Sequence, residues 1–111
     1  MYKIDGTTIS LVRGDSMATE LTLKRKTNGE VYTPVEGDAI SFAMKRSAYD
    51  RGEPILVKSV PTDTLMLALL PTDTAGLAFG EYAYEMQMTF ADGTVDTFIA
   101  NARLMLAPEV N

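Results

Sequence analysis

Glu81-Tyr82-Ala83-Tyr84-Glu85-Met86-Gln87-Met88-Thr89-Phe90 is the stretch on which the fold turns. Tyr82, Tyr84, Met86, Met88 and Phe90 line one side of it, and Glu81, Ala83, Glu85, Gln87 and Thr89 the other. A period of two belongs to an extended strand, whose successive side chains point to opposite faces; one apolar and one polar face belong to a sheet buried on one side only. Asp92-Gly93 then predicts a tight turn into Thr94 to Ile99, since both residues tolerate positive φ. A last strand, Ala102 to Ala107, ends near Pro108.

The same alternation runs upstream. Thr8 to Val12 reads as a strand, and Met17 to Lys24 as another, with Met17, Leu21 and Leu23 on one side and Glu20, Thr22 and Lys24 on the other. Asn28-Gly29 and Glu36-Gly37-Asp38 are turn signals. Between Asp38 and the loop at Asp50-Arg51-Gly52, Ile40, Phe42 and Met44 alternate with Ser41, Ala43 and Lys45. Pro54 to Val60 and Leu65 to Leu70 give two more strands, parted by Pro61-Thr62-Asp63, and Pro71 ends the second because it has no N–H for a ladder. Thr72 to Leu77 predicts a single helical turn that Thr72 or Asp73 can cap.

Seven to eight short strands, spaced at roughly ten residues and without a long amphipathic helix, predict an all-β, immunoglobulin-like antiparallel β-sandwich. At 111 residues the chain suits one domain, 1–111, with one core. In Leu77-Ala78-Phe79-Gly80-Glu81-Tyr82, Gly80 stands two residues before the tyrosine that opens the long strand. That spacing resembles the tyrosine corner of immunoglobulin-like sandwiches, in which the phenol bonds back to the chain. The alternative is a pair of core tyrosines, and under both readings Tyr82 is structural.

Composition narrows function by exclusion. The chain has no histidine and no cysteine, so the commonest general base, the commonest metal ligand and the strongest nucleophile are missing, and no disulfide forms. Glu81 and Glu85 share the outward side of one strand, but four residues of strand separate their α-carbons by roughly 13 Å, against about 5 to 9.5 Å between glycosidase carboxyls. Asp92 and Asp96 flank a turn without the spacing of a calcium loop, and no phosphate-cradling glycine motif occurs. The expectation is a non-enzyme with no metal and no cofactor.

A net charge of −5, with basic residues scattered apart from Lys24-Arg25-Lys26 and Lys45-Arg46, argues against a nucleic-acid partner. The start Met1 to Asp5 lacks a signal core, and the longest apolar run, Leu65 to Leu70, is too short for a bilayer, so neither export nor a membrane partner is expected. Arg13-Gly14-Asp15 spells an adhesion tripeptide, which a tight turn between the first two strands accounts for.

Alternation fails at Leu65-Met66-Leu67-Ala68-Leu69-Leu70 and at Leu104-Met105-Leu106-Ala107, where both sides are apolar. If Leu65, Leu67, Leu69, Leu104 and Leu106 fill the core, Met66, Leu70 and Met105 face outward and form a contact surface for another subunit, unless loops of the chain cover them.

The order Gly14-Asp15, Asn28-Gly29-Glu30, Gly37-Asp38-Ala39-Ile40-Ser41-Phe42, Pro71-Thr72-Asp73-Thr74-Ala75-Gly76-Leu77 and Gly80-Glu81-Tyr82-Ala83-Tyr84-Glu85 resembles small immunoglobulin-like proteins of tailed phages and prophages. Within these it is most similar to the amino-terminal domain of phage baseplate upper proteins, from about Ile9 to Leu106, with Phe79 where proline is usual. The resemblance implies a virion structural or accessory role in tail, baseplate or capsid. Its partners would be itself, as a homo-oligomer, and other virion proteins; its location would be the virion, or the bacterial cytoplasm before assembly. A stand-alone decoration or connector fits the chain length. The other expectation is a stand-alone ligand- or protein-binding module of a bacterial cell, using the loops Ser47 to Gly52 or Asn28 to Gly37.

Overall fold

A computed structural model describes residues 2–24, 29–47, 49 and 52–108. Asn28 and the Asp50-Arg51 part of the expected loop lie outside the described residues, as do Arg25 and Lys26 of the first basic cluster. The strands are β1 (Tyr2–Asp5), β2 (Thr8–Val12), β3 (Met17–Glu20), β4 (Ala39–Lys45), β5 (Leu56–Val60), β6 (Met66–Leu69), β7 (Gly80–Thr89) and β8 (Val95–Ala107), with one helical turn, α1 (Pro71–Thr74), before β7. They form a β-sandwich: a six-stranded sheet in the order β1-β2-β8-β7-β4-β5 and a two-stranded sheet, β3-β6.

The long strand behaves as its periodicity requires. Tyr82, Tyr84, Met86 and Met88 are buried while Glu81 and Thr89 are exposed. Their partners across the ladder are likewise inward: Phe42 pairs with Met86, Met44 with Tyr84, and Leu104 with Tyr82. The Phe42 and Tyr84 rings meet at 5.2 Å between centroids. From the other sheet come Met17, Leu67 and Leu69, each at most 2% exposed. One continuous core therefore lies between the sheets, and burying each of these side chains contributes about 1.5–3 kcal/mol before conformational entropy is subtracted.

Four features depart from the sequence expectation. β1 lies outside the strands the sequence predicts; it pairs with β2 in a hairpin around Gly6, whose φ is +62°. Thr94 to Ile99 and Ala102 to Ala107 are one strand, β8, kinked where Asn101 takes φ +54° and the register against β7 shifts between Tyr84 and Met86. An asparagine in the left-handed region lets a bulge turn the strand without breaking it. The strand expected over Met17 to Lys24 ends at Glu20, and Lys24 makes only an isolated bridge to Val31. Opposite that end, Leu65 has φ +55° and gives its N–H to the Pro61 carbonyl instead of to the ladder. Finally, the sandwich is not wholly antiparallel, because β2 runs parallel to β8, Ile9 beside Leu104 and Leu11 beside Leu106. A parallel neighbour is possible because the chain between them travels through the whole molecule.

Candidate functional site

Many polar side chains at the loop ends are committed to holding loops in place. The Tyr82 hydroxyl donates to the Ala78 carbonyl at 2.6 Å, four residues back, closing the approach to β7 over Gly80, which takes φ +136°. The Tyr84 hydroxyl donates to the Thr7 carbonyl, and burial pushes this phenol's pKa up. At the same end Arg13 gives an N–H to the Leu77 carbonyl at 3.1 Å and lies 4.2 Å from the Phe79 ring centroid. The Gly14 N–H donates to the hydroxyl of fully buried Thr74 at 3.0 Å. The Arg13-Gly14-Asp15 turn is thus a clamp between the β2–β3 connection and α1.

The cap on α1 differs from the expected one. Leu70 occupies the N-cap with extended backbone, and Asp73 reaches back to accept the Leu70 N–H at 2.7 Å. The same carboxylate oxygen takes Lys58 from β5 at 3.0 Å, so α1 is fastened to the edge of the large sheet.

At the opposite end, Asp38 accepts from the Tyr32 hydroxyl at 2.6 Å, the Val35 N–H at 3.0 Å and the Ala91 N–H at 3.0 Å. The hydrogen bond from Tyr32, then that from Val35, hold its carboxyl below the ordinary 3.8. Tyr32 in turn stands edge-on to Phe90 at 5.8 Å. These contacts hold one wall of an open cleft of ≈ 580 Å³ lined by Leu21, Leu23, Tyr32, Met88, Phe98 and Ile99, with Lys24 and Asp96 also lining it. Its size and mostly apolar lining are those of a small-ligand site, although the Tyr32 hydroxyl is already engaged. Sequence reading missed it because Phe98 and Ile99 come from one strand and Leu21 and Leu23 from a segment that has left its strand.

The surface expected from Met66, Leu70 and Met105 is not one surface. Met66 belongs to β6 in the two-stranded sheet, and Met105 to β8 in the six-stranded sheet. Leu67 and Leu69 from the first, and Leu104 and Leu106 from the second, meet in the core. Their outward neighbours must then point away from each other on opposite sides of a sandwich whose sheets stack about 10 Å apart. Met105, 38% exposed, sits singly between Ser10 and Glu81, and Glu81 pairs with Arg103 at 3.2 Å. An isolated apolar residue of that kind is ordinary surface. Met66 and Leu70 share one side of the β6 margin at opposite ends of the strand: Met66 is half-buried and Leu70 is 52% exposed.

Along that margin runs an open strand edge, which side-chain pattern alone does not disclose. Leu21 donates to the Leu65 carbonyl at 2.7 Å, and in an antiparallel ladder bonded pairs alternate with unbonded ones. Thr19–Leu67 and Met17–Leu69 are therefore the bonded pairs, while the N–H and C=O groups of Met66 and Ala68 point away from β3. Among the described residues no other strand pairs with β6.

Among the described residues no group of three or more acidic side chains is placed to hold a metal ion, and no helix is long and apolar enough to cross a membrane. No family model matches the sequence, and no curated protein matches it. Among solved structures, CopC from Methylosinus trichosporium OB3b is similar over 68% of this chain and 72% of that one, at 20% identity and a TM-score of 0.41. The sandwich described above stands on its own strand pairing.

Proposed function

We propose that this chain is a non-catalytic structural or accessory protein of a tailed-phage or prophage virion, associated with tail, baseplate or capsid, and acting as an assembly and docking module. The observation that carries this reading is the unfinished small sheet, two strands against six, whose β6 margin presents Met66 and Leu70 beside an unpaired ladder. Such an edge is a template for another chain, and an assembly protein is where a free template has a use. The absence of histidine and cysteine from the sequence and the resemblance to baseplate upper proteins support the same reading. Mass spectrometry of gradient-purified particles tests it. The chain should be present at a fixed ratio to the tail or capsid proteins; recovery only from the soluble cell fraction contradicts the proposal.

The apolar cleft beside Tyr32 favours a second reading, a ligand- or protein-binding module of a bacterial cell. Under it, a Phe98→Asp variant loses binding of an apolar ligand while Met66→Lys keeps it.

A further inference from the structure

We propose that the cleft beside Tyr32 binds a small organic cation, an ammonium group carried on an apolar body, with the Asp96 carboxylate as its counter-ion. This rests on the ligand-binding reading of the cleft and is independent of the assembly reading.

Strand register puts the negative charge inside. Asp96 of β8 stands directly opposite Met88 of β7, and residues directly opposite each other in an antiparallel ladder project from the same face. Met88 is 3% exposed and belongs to the core, so Asp96 projects from the inner face of the large sheet. The neighbouring pair agrees: Gln87 and Thr97, on the outer face, are joined side chain to side chain at 3.2 Å. Beyond them the register shifts, and Phe98 and Ile99, consecutive in the chain, both line the cleft.

Asp96 also differs from its fellow aspartates. Asp38, Asp73 and Asp92 each accept a backbone N–H and so hold a loop or turn. Among the described residues the Asp96 carboxylate has no hydrogen-bond or ion-pair partner. It is exposed through the open side of the cleft, so water solvates it while the cleft is empty. A neutral apolar ligand displaces that water and leaves the charge unpaired, whereas a cation displaces it and pairs the charge.

The walls favour the same sign. Tyr32, Phe90 and Phe98 contribute aromatic rings, whose faces attract cations. The Tyr32 ring is set in place beforehand by its bond to Asp38 and its edge-on contact with Phe90 at 5.8 Å, so little ordering is left for the ligand to impose. Lys24 does not reverse the sign. Leu21 and Leu23 pack on the core while Thr22 and Lys24, alternating with them, are exposed, which places Lys24 at the rim and Asp96 inside.

Titrations followed by NMR at the side chains of Met88, Phe98 and Ile99 provide the test, with three probes of one chain length: hexyltrimethylammonium, neutral hexanol and anionic hexanoate. The ammonium is expected to saturate the cleft with an affinity roughly tenfold or more above that of hexanol, and hexanoate should be weakest. Asp96→Asn should cut the affinity for the ammonium roughly tenfold and leave that for hexanol unchanged, with the circular dichroism spectrum retained. Phe98→Ala should weaken both. Equal affinity for the three probes overturns the proposal, as does an Asp96→Asn variant that binds the ammonium as tightly as wild type, which would leave Asp96 as a guard of the β8 edge. If hexanol still saturates the cleft in either case, the charge assignment alone has failed and the ligand-binding reading stands; binding of none of the three overturns both.

Discussion

Tyr82 and Asp38 do the same job at opposite ends of the molecule, each tying a loop to the sheet through hydrogen bonds the side chain alone can supply. Replacing Tyr82 with Phe removes the bond to Ala78 and leaves a partly buried carbonyl without its donor. About 1–3 kcal/mol of stability should be lost, read as a lower urea midpoint at unchanged m-value. For Asp38 the folded pKa is depressed, so its contribution is present above the unfolded value near 3.8 and disappears as pH falls through the lower folded value. The stability gap between wild type and Asp38→Asn should therefore close as pH falls from the unfolded value near 3.8 through the lower folded one. Tyr84 has the opposite sign: burial raises its pKa above the ordinary 10.0, so the neutral phenol is favoured in the fold and stability should fall as pH climbs past that value. Ultraviolet titration should show one tyrosine ionising late, and Tyr84→Phe should abolish that phase.

At the scale of the element, β8 tests how local backbone demands shape a strand. Asn101 holds φ +54° where β8 kinks against β7. Glycine there should be tolerated, whereas Asn101→Val should cost about 1–2 kcal/mol because a β-branched residue resists the left-handed region. The kink also explains why the sequence reads as two strands: the ladder to β7 steps from Ile99 opposite Met86 to Ala102 opposite Tyr84, with the register shift between them at Ala100 and Asn101. β7, β4 and β2 were legible because their buried partners alternate strictly. β1 was not, since Tyr2-Lys3-Ile4-Asp5 is too short to establish a period and owes its form to β2. Gly37 marks another tertiary demand: a Cβ there would come within 2.8 Å of the Ala91 side chain, and φ is +95°. Gly37→Ala should lower thermal stability by at least about 1 kcal/mol.

For the whole molecule, the sequence told which residues are inside and left unsaid which sheet each strand joins. That difference decides the site. Of the two doubly apolar runs, Leu67, Leu69, Leu104 and Leu106 are core, whereas Leu65, expected with them, is only partly buried where its backbone leaves the ladder. Met66 and Met105 separate because β6 and β8 lie in different layers, a relation set by topology and invisible to periodicity. The open edge is less visible still, since it consists of backbone groups that every residue possesses. What gives it meaning is the imbalance of the sandwich, a six-stranded layer facing a two-stranded one among the described residues.

Amide hydrogen exchange along β6 tests that edge most directly. Leu67 and Leu69 should be protected by β3 while Met66 and Ala68 exchange freely. Equal protection of Met66 and Leu67 in the dilute monomer would contradict the account, because the edge would then already be covered from within.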